Sequence, residues 1–132
     1  KIGEGVQKGD RTAYCIGPDE WLLHAAEADQ SAIVAQFNTA RAKTPHSLTV
    51  ISDREVAISV TGPAAIELLS VACPLDLSRM AVGSAKRTVF DYAQVVLIRD
   101  RDDAFRLEVW RSFFPHVFGL LEIAVKELTV GL

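Results

Sequence analysis

No apolar run in this chain lasts more than a few residues before a charge, a glycine or a proline cuts it. That punctuation limits the fold more than any other feature. Short runs with period two bury one face as strands, and runs of roughly a dozen residues with period 3.6 do so as helices. Nothing approaches the roughly 20 consecutive apolar residues of a membrane-spanning helix, so no membrane partner is expected. The 132 residues are 49% hydrophobic and 23% charged, which predicts one globular domain over 1–132 with a real core.

Residues 1–10, KIGEGVQKGD, are rich in glycine and charge and are expected to be a flexible loop. The first residue is Lys1, not Met, and a truncated N-terminus is expected. Thr12, Tyr14 and Ile16 alternate with Arg11, Ala13 and Cys15 in a strand stopped by Gly17-Pro18, and Trp21–His24 is its hairpin partner. Ile33, Val34, Phe37 and Ala40 share one helical face between Asp29 and Ala42. Leu48–Ser52 and Val56–Thr61 read as strands around a tight turn at Asp53-Arg54. Gly62-Pro63 then opens a helix with Ile66, Leu69 and Cys73 on one face, ended by Pro74.

A loop at Pro74–Gly83 leads into strands at Arg87–Tyr92 and Gln94–Arg99, and Asp100–Asp103 turns the chain into a strand at Phe105–Trp110. Ser112 is a good N-cap for the last helix, and Pro115 suits its first turn. Its apolar stripe is Phe114, Val117, Phe118, Leu121, Ala124, Val125 and Leu128. The order ββ-α-ββ-α-βββ-α predicts an α+β fold, a mostly antiparallel sheet with helices packed on it.

Residue patterns that would carry chemistry are absent from the sequence. Fourteen basic and 17 acidic residues give a net charge of -3 without a basic stripe, which argues against nucleic acid. No signal peptide is expected. Cys15 and Cys73 have no neighbours at zinc-ligand spacing and are expected to be free thiols in a reducing cytoplasm. Cys73 lies near a helix C-terminus, where the dipole disfavours a reactive thiolate. His24, His46 and His116 are far apart and form no metal-binding pattern.

The tract Asp100–Asp103 (DRDD) lacks the glycine and the distant glutamate of a calcium loop. No nucleophile elbow, Walker loop or dinucleotide fingerprint is present. No catalytic, cofactor-binding or metal-ligating residue is therefore predicted. The remaining physical hint is Trp110-Arg111-Ser112-Phe113 together with Trp21, since Trp and Arg are enriched at the energetic centres of protein interfaces. Core aromatics beside an ordinary surface arginine explain the same residues equally well.

GPDEWLL (Gly17–Leu23), ISVTGPAA (Ile58–Ala65), CPLDL (Cys73–Leu77), GSAKRT (Gly83–Thr88) and RLEVWRSF (Arg106–Phe113) occur in one order along the chain. In that order they resemble the gamma-subunit family of heterotetrameric sarcosine oxidases, within the wider group of aminomethyltransferase-like, folate-binding domains. The resemblance runs from about Arg11 to Leu128. It departs at the last helix, where His116 and Phe118 stand at positions at which relatives often carry Tyr or Trp, and before the first strand, where relatives usually have more residues.

The resemblance implies a fold like the folate-binding domain of aminomethyltransferases and a non-catalytic assembly role. Partner alpha, beta and delta subunits would oxidatively demethylate sarcosine to glycine and hydrogen peroxide, with tetrahydrofolate capturing the one-carbon unit. FAD, FMN, NAD, tetrahydrofolate and zinc are implied in those partners and none in this chain. The candidate subunit-interface residues are Trp21, Asp76, Arg87, Trp110 and Arg111. The alternative reading is a stand-alone folate-binding one-carbon transferase. A small ligand-sensing module is a third, with no positive feature in its favour.

Overall fold

Two antiparallel sheets of unequal size organise the chain, whose residues 1–131 are described by a computed structural model. The small sheet has the order β1-β2-β3, from Gly5–Lys8 (β1), Arg11–Gly17 (β2) and Glu20–His24 (β3). The large sheet has the order β4-β7-β6-β5, from Glu55–Thr61 (β4), Ala85–Phe90 (β5), Ala93–Arg101 (β6) and Ala104–Trp110 (β7). Helices α1 (Gln30–Ala40), α2 (Ala65–Ser70) and α3 (Phe114–Thr129) complete the fold. The α+β class and the antiparallel pairing agree with the sequence reading, and the sheet divides in two.

Strand alternation decides which residues meet the helices. Val95 and Leu97 of β6, Phe105, Leu107 and Val109 of β7, and Ile58 and Val60 of β4 point to one face. There they pack against Leu69 of α2 and Val117 and Leu121 of α3 in the main core. Helix α3 buries Val117, Leu121 and Ala124, spaced i, i+4, i+7. Phe118 and Val125, placed on that stripe by the sequence, are exposed instead. Arg99 is buried on the same side. Its guanidinium donates to the carbonyls of Leu77 (3.2 Å), Met80 (2.6 Å) and Asp102 (2.9 Å), which ties the loop after α2 to the sheet.

The other face of the large sheet is only partly covered. Tyr14, Ile16 and Leu22 of the small sheet pack on Ala85 and Ile98, with Ile51 and Val96 at the margin. This second cluster is much the smaller of the two.

Three expectations need correction. Residues 5–8 are not a loop: they pair with β2 from Gly5 opposite Tyr14 to Lys8 opposite Arg11. Gly5 permits this, because a Cβ there would come within 2.8 Å of the Tyr14 ring and would collide with the Gly83 carbonyl. Leu48–Ser52 is not a strand and pairs with nothing among the described residues, so the observed order is βββ-α-β-α-βββ-α. Ser112 does not cap α3; Phe113 holds the N-cap position without a side-chain hydrogen bond.

Candidate functional site

The small sheet covers the large one incompletely, and a cleft of about 500 Å³ opens where the cover stops. Glu20, Trp21, Leu22 and Leu23 of β3 line it, facing Ser47, Leu48, Thr49 and Ile51 of the segment after α1. Arg87 of β5, Gln94 and Val96 of β6, and Glu108 and Trp110 of β7 line it from the large sheet. A second cleft of about 550 Å³ lies beyond the same segment and is bounded by Leu48, Val50 and Ser52 together with Ile33 and Val34 of α1. Residues 47–52 therefore have open space on both sides.

Three of the five candidate interface residues meet in the first cleft, and a fourth adjoins it. Trp21 is 58% and Trp110 47% exposed, far above what a packed aromatic shows. Arg87 clamps Glu20 through two hydrogen bonds, one of 2.7 Å, which ties β5 to β3. The Arg87 guanidinium holds the Glu20 carboxyl below its ordinary range, chiefly through that hydrogen bond. Arg111 sits one residue beyond Trp110, in a shallow depression shared with Arg54, Trp110 and Ser112. Its Nε donates to the Asp53 carbonyl at 3.0 Å and its backbone N–H to the Arg54 carbonyl at 2.7 Å. Arg54 in turn lies over the Trp110 ring, 4.8 Å from its centroid.

Asp76 is elsewhere. It caps the short 3-10 turn Leu77–Arg79, accepting from the Ser78 backbone N–H at 3.2 Å and from the Ser78 hydroxyl. That hydroxyl lowers its carboxyl from the usual value. Asp76 is exposed and is absent from the cleft lining.

One pair outside the expected interface residues shapes this face. Glu108 looks like an outward polar residue between Leu107 and Val109, yet it is buried, and one of its oxygens lies 2.6 Å from His24 Nε2. His24 also meets the Tyr14 ring edge-on, with centroids 5.5 Å apart. Arg106, two residues before Glu108, is held by both oxygens of Asp100 at 2.6 and 2.8 Å and reaches the Tyr14 hydroxyl at 3.4 Å. The charge-lined side of β7 is thus where the small sheet is attached. The available signal was the alternation itself, since Arg106, Glu108 and Trp110 share one face of β7.

The other singled-out groups stay apart. His46 Nδ1 bonds to the Thr44 carbonyl, and His116 Nε2 lies 2.8 Å from Asp91 under a stacked Tyr92. Cys15 and Cys73 are buried thiols without a disulfide. Among the described residues, no cluster of three or more His, Cys, Asp or Glu side chains is placed to hold a metal ion, and no helix is long and apolar enough to cross a membrane.

Comparison with known proteins adds four findings. Residues 4–127 match the sarcosine oxidase, gamma subunit family. The chain is 29% identical to the sarcosine oxidase subunit gamma of Corynebacterium sp. (strain U-96) over 133 aligned positions, covering 98% of this chain and 64% of that subunit. It also superposes with a TM-score of 0.86 and 28% identity on a chain of the heterotetrameric sarcosine oxidase from Corynebacterium sp. U-96, solved in complex with pyrrole 2-carboxylate, covering 96% of this chain and 66% of that one. An aminomethyltransferase of Saccharopolyspora erythraea is 28% identical over 121 positions, which is 89% of this chain and 33% of that enzyme. The chain thus spans just under two thirds of the length of the gamma-subunit relatives.

Proposed function

The chain belongs to the sarcosine oxidase gamma subunit family, and from that premise we propose that it is a non-catalytic assembly subunit of a heterotetrameric sarcosine oxidase. In this reading partner alpha, beta and delta subunits hold FAD, FMN, NAD, tetrahydrofolate and zinc. They convert sarcosine to glycine and hydrogen peroxide and pass the one-carbon unit to folate. The observation that carries the reading is the family match over nearly the whole chain, residues 4–127. The exposed Trp21 and Trp110, with Arg87 and Arg111 beside them, supply docking groups of the kind that dominate interfaces. Two unpaired thiols suit a reducing compartment, and the assembly is proposed to be cytoplasmic.

The transferase alternative has the aminomethyltransferase similarity behind it, but this chain corresponds to only 33% of that enzyme. Two measurements on the purified protein separate the readings. The isolated chain is expected to be colourless, to lack sarcosine oxidase activity, and to co-purify with alpha, beta and delta subunits when co-expressed. Turnover by the chain alone would sink the proposal, and tight tetrahydrofolate binding by calorimetry would favour the transferase. Trp110→Ala and Arg111→Ala are expected to weaken assembly by roughly tenfold or more while shifting the melting temperature little. The opposite ordering would make both residues purely structural.

A further inference from the structure

The segment Leu48-Thr49-Val50-Ile51 has the composition of a strand and the surroundings of one, yet no strand beside it. Among the described residues, neither the amides nor the carbonyls of Ser47, Leu48, Thr49 and Val50 hydrogen-bond within the chain. Val50 is 52% exposed. Across the cleft, the order β1-β2-β3 leaves one edge of β3 unpaired. Successive residues of a strand face opposite sides, so four consecutive residues, Glu20–Leu23, line one cleft only when it borders the strand edge-on. The unpaired edge of β3 thus borders the cleft over about 13 Å, four residues at the rise of a strand, and Ser47, Thr49 and Ile51, alternate residues of the segment after α1, wall its far side.

We infer that this cleft receives one extended segment of a partner subunit, which adds as a strand to the free edge of β3 and lies against Ser47–Ile51. The inference rests on the assembly reading above and names the surface and the backbone chemistry by which the chain docks. Unpaired strand edges are templates for a further strand, and adding one satisfies the free backbone groups of β3.

The charges lining the cleft define what enters. Glu20 is paired with Arg87, Arg54 with Glu55, and Glu108 with His24. Each already has a partner within the chain, and an ion buried among them would lie unpaired at a cost. The occupant is therefore an uncharged segment, with apolar side chains toward Ile16, Leu22 and Val96. Trp21 and Trp110 line the same cleft and supply broad apolar contact.

Hydrogen exchange read by mass spectrometry, on the chain alone and on its co-expressed complex with alpha, beta and delta subunits, tests this. The expected result is slow exchange across peptides 20–24 and 47–51 in the complex only. A complex that forms while both peptides exchange as in the free chain overturns the inference and leaves the assembly reading standing. Failure of the wild-type chain to assemble overturns both. Protection that rises with the concentration of the chain alone also overturns it, because the occupant is then a second copy.

Thr49→Lys supplies the independent variant. It sets a charge on an exposed residue of the cleft lining, so the melting temperature is expected to hold while assembly weakens by roughly tenfold, because the added strand would bury an unpaired ion. Unchanged assembly by this variant would likewise overturn the strand-addition geometry.

Discussion

The two faces of the large sheet are built on different principles. The helix-covered face is a continuous apolar core in which Phe90, Leu69, Phe105, Val109 and Val117 are wholly buried. The opposite face has a small cluster, Tyr14, Ile16, Leu22, Ala85 and Ile98, and is otherwise attached through charged pairs around open clefts. Helix α1 belongs to this second region, and only Ile33 of its eleven residues is buried. The contrast separates stability from recognition. Apolar burial at roughly 25 cal/mol per Å² makes the first region a rigid base, while the second leaves aromatic and backbone groups free to meet another chain.

The largest effect expected from this contrast is in the main core. Phe105→Ala removes a side chain with no exposed surface, facing Leu69, Leu107 and the helices, and is expected to cost about 3–5 kcal/mol in urea unfolding. Leu22→Ala, in the small cluster, removes a side chain that is 7% exposed and has fewer apolar neighbours able to hold a cavity open. It is expected to cost no more than about 2–3 kcal/mol. Equal losses would erase the distinction between the two faces.

A smaller effect tests how the small sheet is held. Glu108→Ala leaves His24 without its 2.6 Å partner and opens the seam between β3 and β7. The expected loss is about 1–3 kcal/mol, with amides of β2 and β3 exchanging faster while those of α3 are unchanged. A uniform rise in exchange across the chain would show that both faces unfold as one unit, and the two-region picture would fail.

The same contrast explains what the sequence disclosed. Elements whose reasons are local were legible: the two-residue hairpin after Gly17-Pro18, the 3.6 period of α3, and the strict alternation of β4 and β7. What depended on distant partners was not. Strand composition at Leu48–Ile51 predicted a strand, but pairing is a property of two segments, and no second one lies beside it among the described residues. Conversely, the glycine-rich start concealed β1, because Gly5 is there for close approach to Tyr14 and Gly83 and not for flexibility.

The site was legible to a similar degree. Residue type pointed to Trp21, Trp110 and Arg111, and the segments that carry the resemblance contain Arg87, which the fold gathers with them, and Asp76, whose contacts are those of a local cap. Alternation put Glu108 on one face of β7 with Arg106 and Trp110, but the burial of Glu108 and Arg99 depends on distant segments, since charged residues alternating along a strand ordinarily face water.

The smallest effect concerns the pair at the rim of the cleft. Arg87 and Glu20 are both substantially exposed, so solvent screens them, and Arg87→Ala is expected to cost less than about 1 kcal/mol at neutral pH. Its signature is the pH dependence. The Glu20 carboxyl is held below its ordinary value of 4.5 by the hydrogen bond from Arg87, with their mutual attraction adding to it. A carboxylate whose folded pKa is depressed contributes stability that is fully present above its unfolded pKa and is lost as pH falls through the folded value. The gap between wild type and Arg87→Ala should therefore be constant at neutral pH and close as acid takes Glu20 from 4.5 through its lower folded value, and added salt should narrow it further. A gap of constant size down to acid pH and in high salt would mean that Arg87 acts by packing its aliphatic stem. The second face would then be held by apolar contact like the first.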